Sequence, residues 1–215
     1  MVTSPGKTSL KIRLYRAGAR LLVRLLYRPR FTGFEHIPAE GGAIIVCNHV
    51  SYMDGMILHA ASPRPLVFVI AEQVYRQPFV TYFLDLNGVV PITATKKGVR
   101  EALGQISQIL RAGGIVVVFP EGTITRTGNM GRFRPGIEWM LAADKVPVIP
   151  VIIEGLWGSI FSRKYLGSRL RYLPRRLFRR VTAICGTPVP PEQASVGYLQ
   201  RAMMKLANTA RGAED

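Results

Sequence analysis

Residues 42–54, GAIIVCNHVSYMD, join an apolar run to a polar turn. The run at 43–47 is continuous and rich in β-branched residues, which is typical of a strand buried on both faces of a sheet. Ser51 and Asp54 have the spacing of a capping box, which predicts that a helix starts near Ser51. The stretch therefore predicts a strand, a turn that contains His49, and a helix.

Similar apolar runs predict five further strands, at 66–70, 88–92, 115–119, 148–153 and 181–185. Helical patterns separate several of these runs or follow the last of them, at 97–111, 136–144 and 192–210. Continuous β-branched runs alternating with helices indicate a mostly parallel sheet covered by helices. We expect one α/β domain over residues 29–215 with a mostly parallel mixed sheet.

The length of the chain and the positions of its cysteines indicate a protein with its own hydrophobic core and without structural disulfides. A chain of 215 residues can bury a core of its own. Cys47 and Cys185 lie inside apolar runs, which favours buried thiols in a reducing compartment over a disulfide framework. The first ten residues lack the long apolar stretch of a secretory signal.

The net charge predicts an anionic partner. The chain has 29 Lys and Arg against 13 Asp and Glu, a formal charge of +16. Nucleic acid and an acidic membrane surface are the two main partners for such a chain. The basic stretch 163–180 has aromatic and leucine side chains between its charges and fits either partner.

Residues 7–28 predict an amphipathic helix, which we treat as a separate membrane-associating segment over 1–28. Basic and apolar residues recur on it at three- and four-residue steps: Arg13, Arg16, Arg20 and Arg24, and Leu10, Leu14, Ala17, Leu21 and Leu25. Such a helix can lie in the plane of an anionic bilayer surface, with arginines at lipid phosphates. The alternative is a helix packed on the core with its arginines in water. Charges interrupt it too often for a membrane span.

His49 and Asp54 form a candidate proton-handling pair. In one continuous helix they would lie about 140° apart and could not meet. They meet if His49 lies in the turn and Asp54 in the first turn of the helix, where its carboxylate accepts a hydrogen bond from Nδ1. That bond leaves Nε2 as a base for a hydroxyl proton. The alternative is that Asp54 only caps the helix and His49 is an ordinary loop histidine.

Phe119-Pro-Glu-Gly-Thr123 also follows a predicted strand. Ligands of open α/β sheets bind at the carboxyl ends of the strands. Glu121 offers a carboxylate and Gly122 allows close approach of a ligand. Further along are three arginines that can bind phosphate in a bidentate manner, Arg126, Arg132 and Arg134. The alternative is a plain turn, because Pro and Gly are common in turns.

These stretches together resemble the glycerolipid acyltransferase family, the PlsC-like lysophospholipid acyltransferases. Asn48-His49 with Asp54 matches the first block of that family, a histidine, four variable residues and an aspartate. Residues 119–123 match the third block, while 88–92 and 146–151 are similar to the second and the fourth. Four blocks in the family's order cover most of the chain.

The resemblance implies transfer of an acyl group from acyl-CoA or acyl-carrier protein to a lysophospholipid hydroxyl, with neither a metal nor an organic cofactor. The expected acceptor is 1-acyl-sn-glycerol 3-phosphate, which gives phosphatidic acid. Carried over by position, His49 is the general base, and Asp54 orients it and stabilises its charge. The residues expected to hold the acceptor are Glu121, Gly122, Thr123, Arg126, Lys96 and Lys97.

Two departures from the family pattern concern the acceptor phosphate. Many members have Arg directly after Glu-Gly-Thr, where this chain has Ile124. The second block often has a basic residue where this chain has Thr93-Ala94, ahead of Lys96 and Lys97. The forms EGTITRTG and PVIPVIIEG favour the branch that acylates 2-acylglycerophosphoethanolamine as the alternative acceptor class.

The expected location is the cytoplasmic face of a membrane, as a peripheral or monotopic protein. The alternative of another class is a basic nucleic-acid-binding α/β domain, which accounts for the charge but gives His49, Asp54 and 119–123 no purpose. We therefore expect no nucleic-acid partner. A non-catalytic lipid-binding relative is disfavoured because the His/Asp pair is intact. His36 and His59 have no partners at metal spacing, and His59 reads as an ordinary helix-surface or core histidine.

Overall fold

The structure, a computed structural model, describes residues 10–75, 88–159, 161–163 and 178–212. In these ranges the strands are β1 (Tyr27–Thr32), β2 (Ala43–Cys47), β3 (Leu66–Ala71), β4 (Val89–Ile92), β5 (Ile115–Val118), β6 (Val148–Glu154) and β7 (Arg179–Cys185). The helices are α1 (Leu10–Leu26), α2 (Asp54–Ala61), α3 (Glu72–Tyr75), α4 (Lys96–Arg111), α5 (Gly136–Ala143) and α6 (Val196–Gly212), with a 3₁₀ turn at Phe34–His36.

The strands form one sheet in the order β1-β7-β6-β2-β5-β3-β4. The central strand β2 pairs in parallel with β5 and β6, and β3 pairs in parallel with β5 and β4. Among the strands of the described residues, only β6 and β7 pair in antiparallel, and β1 runs parallel to β7. The α/β fold with a mostly parallel mixed sheet is therefore confirmed.

Helices cover both faces of this sheet. Successive strand residues point to opposite faces, so Ile45 and Cys47 of β2 face one core while Ile44 and Val46 face the other. Helices α1 and α2 close the first core, and α4, α5 and α6 close the second. Burial on both sides explains why β2 reads as a continuous apolar run.

All six predicted strands are present, but the sequence does not predict β1. Its residues, YRPRFT, include Pro29 and two arginines, a composition that argues against a central strand. Strand β1 is at the edge of the sheet, where proline is tolerated. Burial alternates along the strand, starting from the buried Tyr27. The outward-facing positions include two arginines, so the sequence does not show the apolar run that identifies the other strands.

Helix α1 is confirmed as amphipathic, but it is shorter than the predicted 7–28. It ends at Leu26 because the chain enters β1, and residues 7–9 lie outside the described ranges. Two of its arginines bond to the chain at the end of α2, a contact that neither interpretation of the helix includes. Arg16 donates to the carbonyl of Ser62, and Arg20 Nε lies 3.1 Å from the carbonyl oxygen of Ala60. These bonds satisfy carbonyls at the end of α2.

The other face of α1 remains uncovered. Leu10, Leu14, Leu21 and Leu25 are exposed, whereas Ala19 and Val23 are buried against the domain. Among the described residues, none of the helices has both the length and the apolar character that crossing a membrane requires. Most of the basic stretch 163–180 lies outside the described residues, which include only 163 and 178–180 of it.

Helix α6 begins at Val196 rather than at 192 as predicted. The turn after Pro190-Pro191 delays the helix, and Ser195 Oγ accepts a hydrogen bond from Tyr198 N at 3.3 Å. A serine at this position satisfies an N–H group that the first turn leaves without a partner.

Candidate active site

Two turns leave the same edge of the sheet next to each other. We call residues 48–54 the histidine turn and residues 119–123 the glycine turn. Strands β2 and β5 are parallel neighbours, with Val46 beside Val118, so both turns start at the carboxyl ends of these strands. This is the edge at which α/β sheets bind ligands.

His49 and Asp54 are in direct contact in the histidine turn. His49 Nδ1 lies 2.7 Å from Asp54 Oδ2, which also accepts bonds from the N–H groups of Val50 at 2.8 Å and Ser51 at 3.0 Å. Asp54 is the first residue of α2, so its charge also interacts favourably with the helix dipole. The predicted geometry, with His49 outside the helix, is what the structure has.

Burial and hydrogen bonding act on Asp54 in opposite directions. Complete burial raises the pKa of its carboxyl, whereas the bond to His49 and the bonds from Ser51 and Val50 lower it. The imidazole of His49 is partly open, with 21% of its side chain exposed. Its Nε2 has no hydrogen-bond partner among the described residues. The pair therefore presents one unoccupied ring nitrogen at the surface of the site.

Ser51 does not cap α2 as predicted, because the helix begins three residues later at Asp54 and its N-cap is Met53. Ser51 Oγ instead accepts a bond from Met53 N at 3.1 Å and donates to the carbonyl of Phe161 at 3.2 Å. Asp54 makes the return bond of a capping box, to the N–H of Ser51. The carboxylate is thus placed by the tight turn 51–54 rather than by a complete capping box.

Glu121 connects the two turns. Its Oε1 accepts a bond from His49 N at 2.9 Å and its Oε2 a bond from Gly131 N at 2.6 Å. The side chain is buried, and burial raises the pKa of its carboxyl against the effect of these bonds. The sequence predicts that Glu121 holds the acceptor, but both of its oxygens are occupied by backbone N–H groups of the protein.

Asn48 holds the start of the histidine turn, a role that the sequence does not reveal. Its Nδ2 donates to the carbonyl of Ile153 at 2.9 Å, and its Oδ1 accepts from Ile153 N at 2.8 Å. The amide therefore continues the pairing of β2 with β6 for one more residue. A second hydrogen bond holds the histidine turn from the other side: Thr125, two residues after the glycine turn, donates its N–H to the carbonyl of His49 at 2.8 Å.

Gly122 and Thr123 form the open part of the glycine turn. Gly122 has a φ of 69°, a backbone conformation that favours glycine. A Cβ at this position would lie 2.9 Å from Arg134 Nε, so the missing side chain leaves room for that guanidinium group. Thr123 is exposed, and its Oγ1 lies 3.3 Å from Nη1 of Arg163.

Phe119 supports the ring of His49. The two rings are stacked, with centroids 4.1 Å apart and planes 16° from parallel. Phe119 in turn stacks with Phe68 of β3 at 6.2 Å. The stacking restricts rotation of the imidazole in addition to the bond at Nδ1, and the sequence gives no signal for it beyond an apolar residue at the strand end.

His59 is a core histidine of α2, one of the two environments expected for it. Its ring packs against Phe68 and meets Tyr15 of α1 edge-on at 5.3 Å. Burial, with the charge of Arg16, lowers the pKa of His59 to about 3. The side chain is therefore neutral at ordinary pH and its Nδ1 is buried without a hydrogen-bond partner in the described structure.

The remaining predicted acceptor-binding residues lie further out. Arg126 is exposed and lines a cleft of about 300 Å³ that also contains Glu121 and Thr123. Lys96 and Lys97 begin α4, after the carboxyl end of β4, and Lys97 lies 3.9 Å from Glu101. They share the sheet edge with His49, but two strands, β5 and β3, lie between β2 and β4 in the sheet.

Potential metal ligands are not grouped in this part of the molecule. Among the described residues, no cluster of three or more His, Cys, Asp or Glu side chains could hold a metal ion. Cys47 and Cys185 are buried and unpaired, and burial raises the pKa of both thiols. At this sheet edge the imidazole of His49 is partly open, and Arg126 and Arg134 are exposed beside the glycine turn.

Comparison with known families agrees with this arrangement. The sequence model of the Acyltransferase family matches residues 28–154, more than half of the chain. The chain belongs to this family. The matched range contains both turns, and the resemblance predicted from the four sequence blocks is confirmed.

Several named proteins are similar to this acyltransferase family member. The chain is 29% identical over 150 residues to the 1-acyl-sn-glycerol-3-phosphate acyltransferase of Borreliella burgdorferi, covering 68% of this chain and 56% of that protein. It is 26% identical over 139 residues to the chloroplastic LPAT1 enzyme of Arabidopsis thaliana, also named for 1-acyl-sn-glycerol-3-phosphate, covering 64% of this chain and 39% of that protein. The chain thus spans about half of these relatives or less.

A solved structure supports the fold. The acyltransferase PlsC of Thermotoga maritima superposes with a TM-score of 0.72 at 22% identity, covering 93% of this chain and 79% of that chain. This agreement extends over the mixed sheet and its helices and confirms the architecture.

Proposed function

We propose that this protein transfers a fatty acyl group from a thioester to the free hydroxyl of 1-acyl-sn-glycerol 3-phosphate, forming phosphatidic acid. The observation that carries the proposal is the His49–Asp54 pair, held at 2.7 Å with Nε2 unoccupied, beside a turn surrounded by arginines. Membership in the Acyltransferase family supports the reaction class. The choice of acceptor is supported by the names of the similar proteins, which refer to 1-acyl-sn-glycerol-3-phosphate.

The chemistry follows from the tautomer of His49. With its Nδ1–H donated to Asp54, Nε2 takes the proton of the acceptor hydroxyl while the hydroxyl oxygen attacks the thioester carbonyl carbon. The carbon–sulfur bond then breaks, and the leaving sulfur takes the proton from Nε2. Asp54 stabilises the imidazolium that exists between these two transfers.

Glu121 acts as a positioning residue in this scheme. Its carboxylate fixes the backbone of His49 through Oε1 and the loop at Gly131 through Oε2. Because both oxygens accept bonds within the protein, Glu121 keeps the two turns at a constant separation. The acceptor is bound by the exposed residues Gly122, Thr123 and Arg126. Lys96 and Lys97 contact an anionic substrate from further out.

The acyl donor is acyl-CoA or acyl-carrier protein, both of which are anionic and suit a chain of charge +16. The alternative acceptor, 2-acylglycerophosphoethanolamine, gains no support from the relatives described, which are named for 1-acyl-sn-glycerol-3-phosphate. A nucleic-acid-binding function does not account for the His49–Asp54 pair.

An acceptor panel tests the proposal. Purified protein is given lysophosphatidate or lysophosphatidylethanolamine, each with acyl-CoA or with acyl-carrier protein, and the diacyl product is quantified. We expect the fastest product formation with lysophosphatidate. Faster acylation of lysophosphatidylethanolamine would overturn the acceptor assignment, and no product with any pair would overturn the reaction.

We also propose that α1 binds the protein to the cytoplasmic face of an anionic membrane. Leu10, Leu14, Leu21 and Leu25 are between 58% and 68% exposed on the side of the helix that faces away from the domain. Arg13 and Arg24 are exposed on the same helix, suitably placed for lipid phosphates. The division into a membrane segment, 1–28, and a domain, 29–215, remains a prediction.

Substitution of two exposed leucines tests the membrane proposal. Leu14→Ser with Leu21→Ser removes apolar surface without touching the contacts of α1 with α2. We expect sedimentation with phosphatidylglycerol vesicles to fall by about tenfold or more, since each buried leucine contributes roughly 1.5–3 kcal/mol. Met204→Ser, at an exposed methionine on the opposite face of the molecule, is the control and should sediment like the wild type. Unchanged sedimentation of the leucine variant would refute the anchor.

A further inference from the structure

Two guanidinium groups lie over the open part of the glycine turn. Arg163 Nη1 is 3.3 Å from Thr123 Oγ1, and Arg134 Nε lies where a side chain at position 122 would be. We call Arg134 and Arg163 the arginine clamp. The two residues come from different parts of the chain and converge on Gly122 and Thr123.

The position of Arg163 is fixed by the histidine turn. Ser51 and Ser162 form an antiparallel bridge, and Tyr52 N donates to the carbonyl of Phe161 at 3.2 Å. Arg163 is the next residue after this bridge, so its side chain starts beside the turn that carries His49. Its Nε is buried and has no hydrogen-bond partner among the described residues. The guanidinium group therefore reaches the exposed side of the glycine turn through Nη1, beside Thr123 Oγ1.

The position of Arg134 is fixed by the glycine turn. Arg134 N donates to the carbonyl of Pro120 at 2.9 Å, which ties this residue to the turn shortly before α5 begins at Gly136. Its side chain then crosses Gly122. In the described part of the chain, no carboxylate forms an ion pair with Arg134 or with Arg163.

The turn itself supplies no cation at this place. Ile124, directly after Thr123, is 4% exposed and points into the protein. The carboxylate that the turn does contain, that of Glu121, is already bonded to His49 N and Gly131 N. Among the described residues, the positive charge over Gly122 and Thr123 therefore has no carboxylate counter-ion.

We propose that the arginine clamp binds the phosphate of the acceptor and so sets the specificity for a phosphomonoester head group. This inference rests on the proposed function and adds its acceptor-binding residues. Two guanidinium groups can offer paired N–H donors to a phosphate, the geometry in which arginine binds this group most strongly. Of the three arginines after the glycine turn, the structure selects Arg134, and it adds Arg163, which the sequence does not connect with the site.

The chemistry of the substrates favours the acceptor over the donor. In 1-acyl-sn-glycerol 3-phosphate the reacting hydroxyl and the phosphate are on neighbouring carbons, so a base and an anion site must be adjacent. The clamp meets this condition, because Glu121 joins the glycine turn to His49 with a bond of 2.9 Å. In a thioester donor the long pantetheine arm separates the reacting carbonyl from every phosphate.

Steady-state kinetics with single arginine variants test the clamp. For Arg163→Ala and Arg134→Ala we expect KM for lysophosphatidate to rise by about ten- to a hundredfold, since a charge-assisted hydrogen bond contributes about 1.5–3 kcal/mol. KM for the acyl donor should stay within about twofold. Arg163→Lys keeps a point charge without the paired donors and should lie between wild type and Arg163→Ala.

Two controls separate a loss of phosphate binding from a general loss of positive charge and from a loss of turnover. Arg201→Ala removes one positive charge from α6, on the far side of the sheet from α2, and should leave both KM values unchanged. The affinity of His49→Ala protein for 1-hexanoyl-sn-glycerol 3-phosphate, measured by calorimetry, should fall by the same factor when Arg163→Ala is added. Binding without turnover thus tests the clamp independently of the reaction.

Three results would overturn the clamp. The first is an unchanged KM for lysophosphatidate in both alanine variants of an active enzyme. The second is a rise in KM for the donor instead of the acceptor, which would assign the two arginines to the donor phosphates. The third is a loss of affinity as large in Arg201→Ala as in Arg163→Ala. A wild-type protein that binds the hexanoyl phosphate through the clamp but forms no product would instead contradict the proposed function.

Discussion

The histidine turn and the glycine turn leave the same sheet edge but have opposite characters. In the histidine turn, Asp54 is fully buried and one of its oxygens accepts three hydrogen bonds. In the glycine turn, Gly122 and Thr123 are exposed and lie under two arginines that form no ion pair within the described ranges. The difference fits the proposal that the first turn holds a base in one orientation and the second receives a charged molecule.

The burial of the histidine turn and the exposure of the glycine turn each have a physical reason. A histidine base is effective only in the tautomer and orientation that aim Nε2 at the proton, so its surroundings must be rigid. An anion site must release product after each turnover, so its cations have to be accessible to solvent. Glu121 belongs to the glycine turn in sequence but is buried and bonded to His49. It is the fixed part of an otherwise open turn.

The largest expected effect comes from breaking the histidine turn. Asp54→Asn keeps the size of the side chain but removes the charge that stabilises the imidazolium and fixes Nδ1–H. We expect kcat to fall by about a thousandfold or more, with KM for the acceptor nearly unchanged. The measurement is the initial rate of acylation of lysophosphatidate at saturating substrate.

Asp144→Asn is the matched control for this variant. Asp144 is also buried and pairs with Arg111 at 2.7 Å, but it lies at the end of α5, remote from the histidine turn. Its loss should reduce stability and leave kcat within about twofold. Equal effects of the two substitutions on kcat would show that the charge of Asp54 has only a structural role.

A smaller effect is expected at the link between the turns. Glu121→Gln replaces one acceptor oxygen by an amide donor, which then faces a backbone N–H of His49 or Gly131. An unsatisfied buried donor costs about 1–3 kcal/mol, so kcat/KM should fall about ten- to a hundredfold. Glu138→Gln is the control, because Glu138 accepts a bond from Val196 N at 2.9 Å away from the site. A Glu121→Gln enzyme with wild-type kcat/KM would contradict the positioning role.

The smallest effect concerns His59, which lies behind both turns. Its pKa is about 3 in the folded protein against 6.5 for a free side chain. Between these values the unfolded chain binds a proton that the folded protein does not, so stability decreases as the pH falls from 6.5 toward 3 and is unaffected above that window.

Urea unfolding at a series of pH values measures this dependence. His59→Gln cannot titrate, so its free energy of unfolding should decline less steeply than that of the wild type below pH 6.5. The difference in slope should approach about 1.4 kcal/mol per pH unit. Parallel slopes for the two proteins would mean that His59 is not held neutral by burial.

Much of the histidine turn is predictable because its contacts are local. The distance between His49 and Asp54 follows from five residues of chain and the start of one helix. Strand β2 is recognisable in the sequence because burial on both faces requires a continuous apolar run. Even here the cap at Ser51 was wrong, because the turn 51–54 satisfies the same N–H groups with a helix that starts later.

The glycine turn and α1 are less predictable because their partners are distant in sequence. Arg163 reaches Thr123 only through the bridge between Ser51 and Ser162, which no local pattern indicates. On α1 the spacing of the arginines identifies a face but not its partner. Arg16 and Arg20 turned out to bind carbonyls at the end of α2.

The most direct test of the mechanism compares wild type with His49→Ala at saturating lysophosphatidate and acyl donor. His49→Ala removes the base but leaves Glu121 able to bond the same backbone N–H, so the fold and the vesicle binding should persist. We predict that the wild type forms phosphatidic acid and that His49→Ala is slower by about a thousandfold or more. Equal rates for the two proteins would contradict the mechanism.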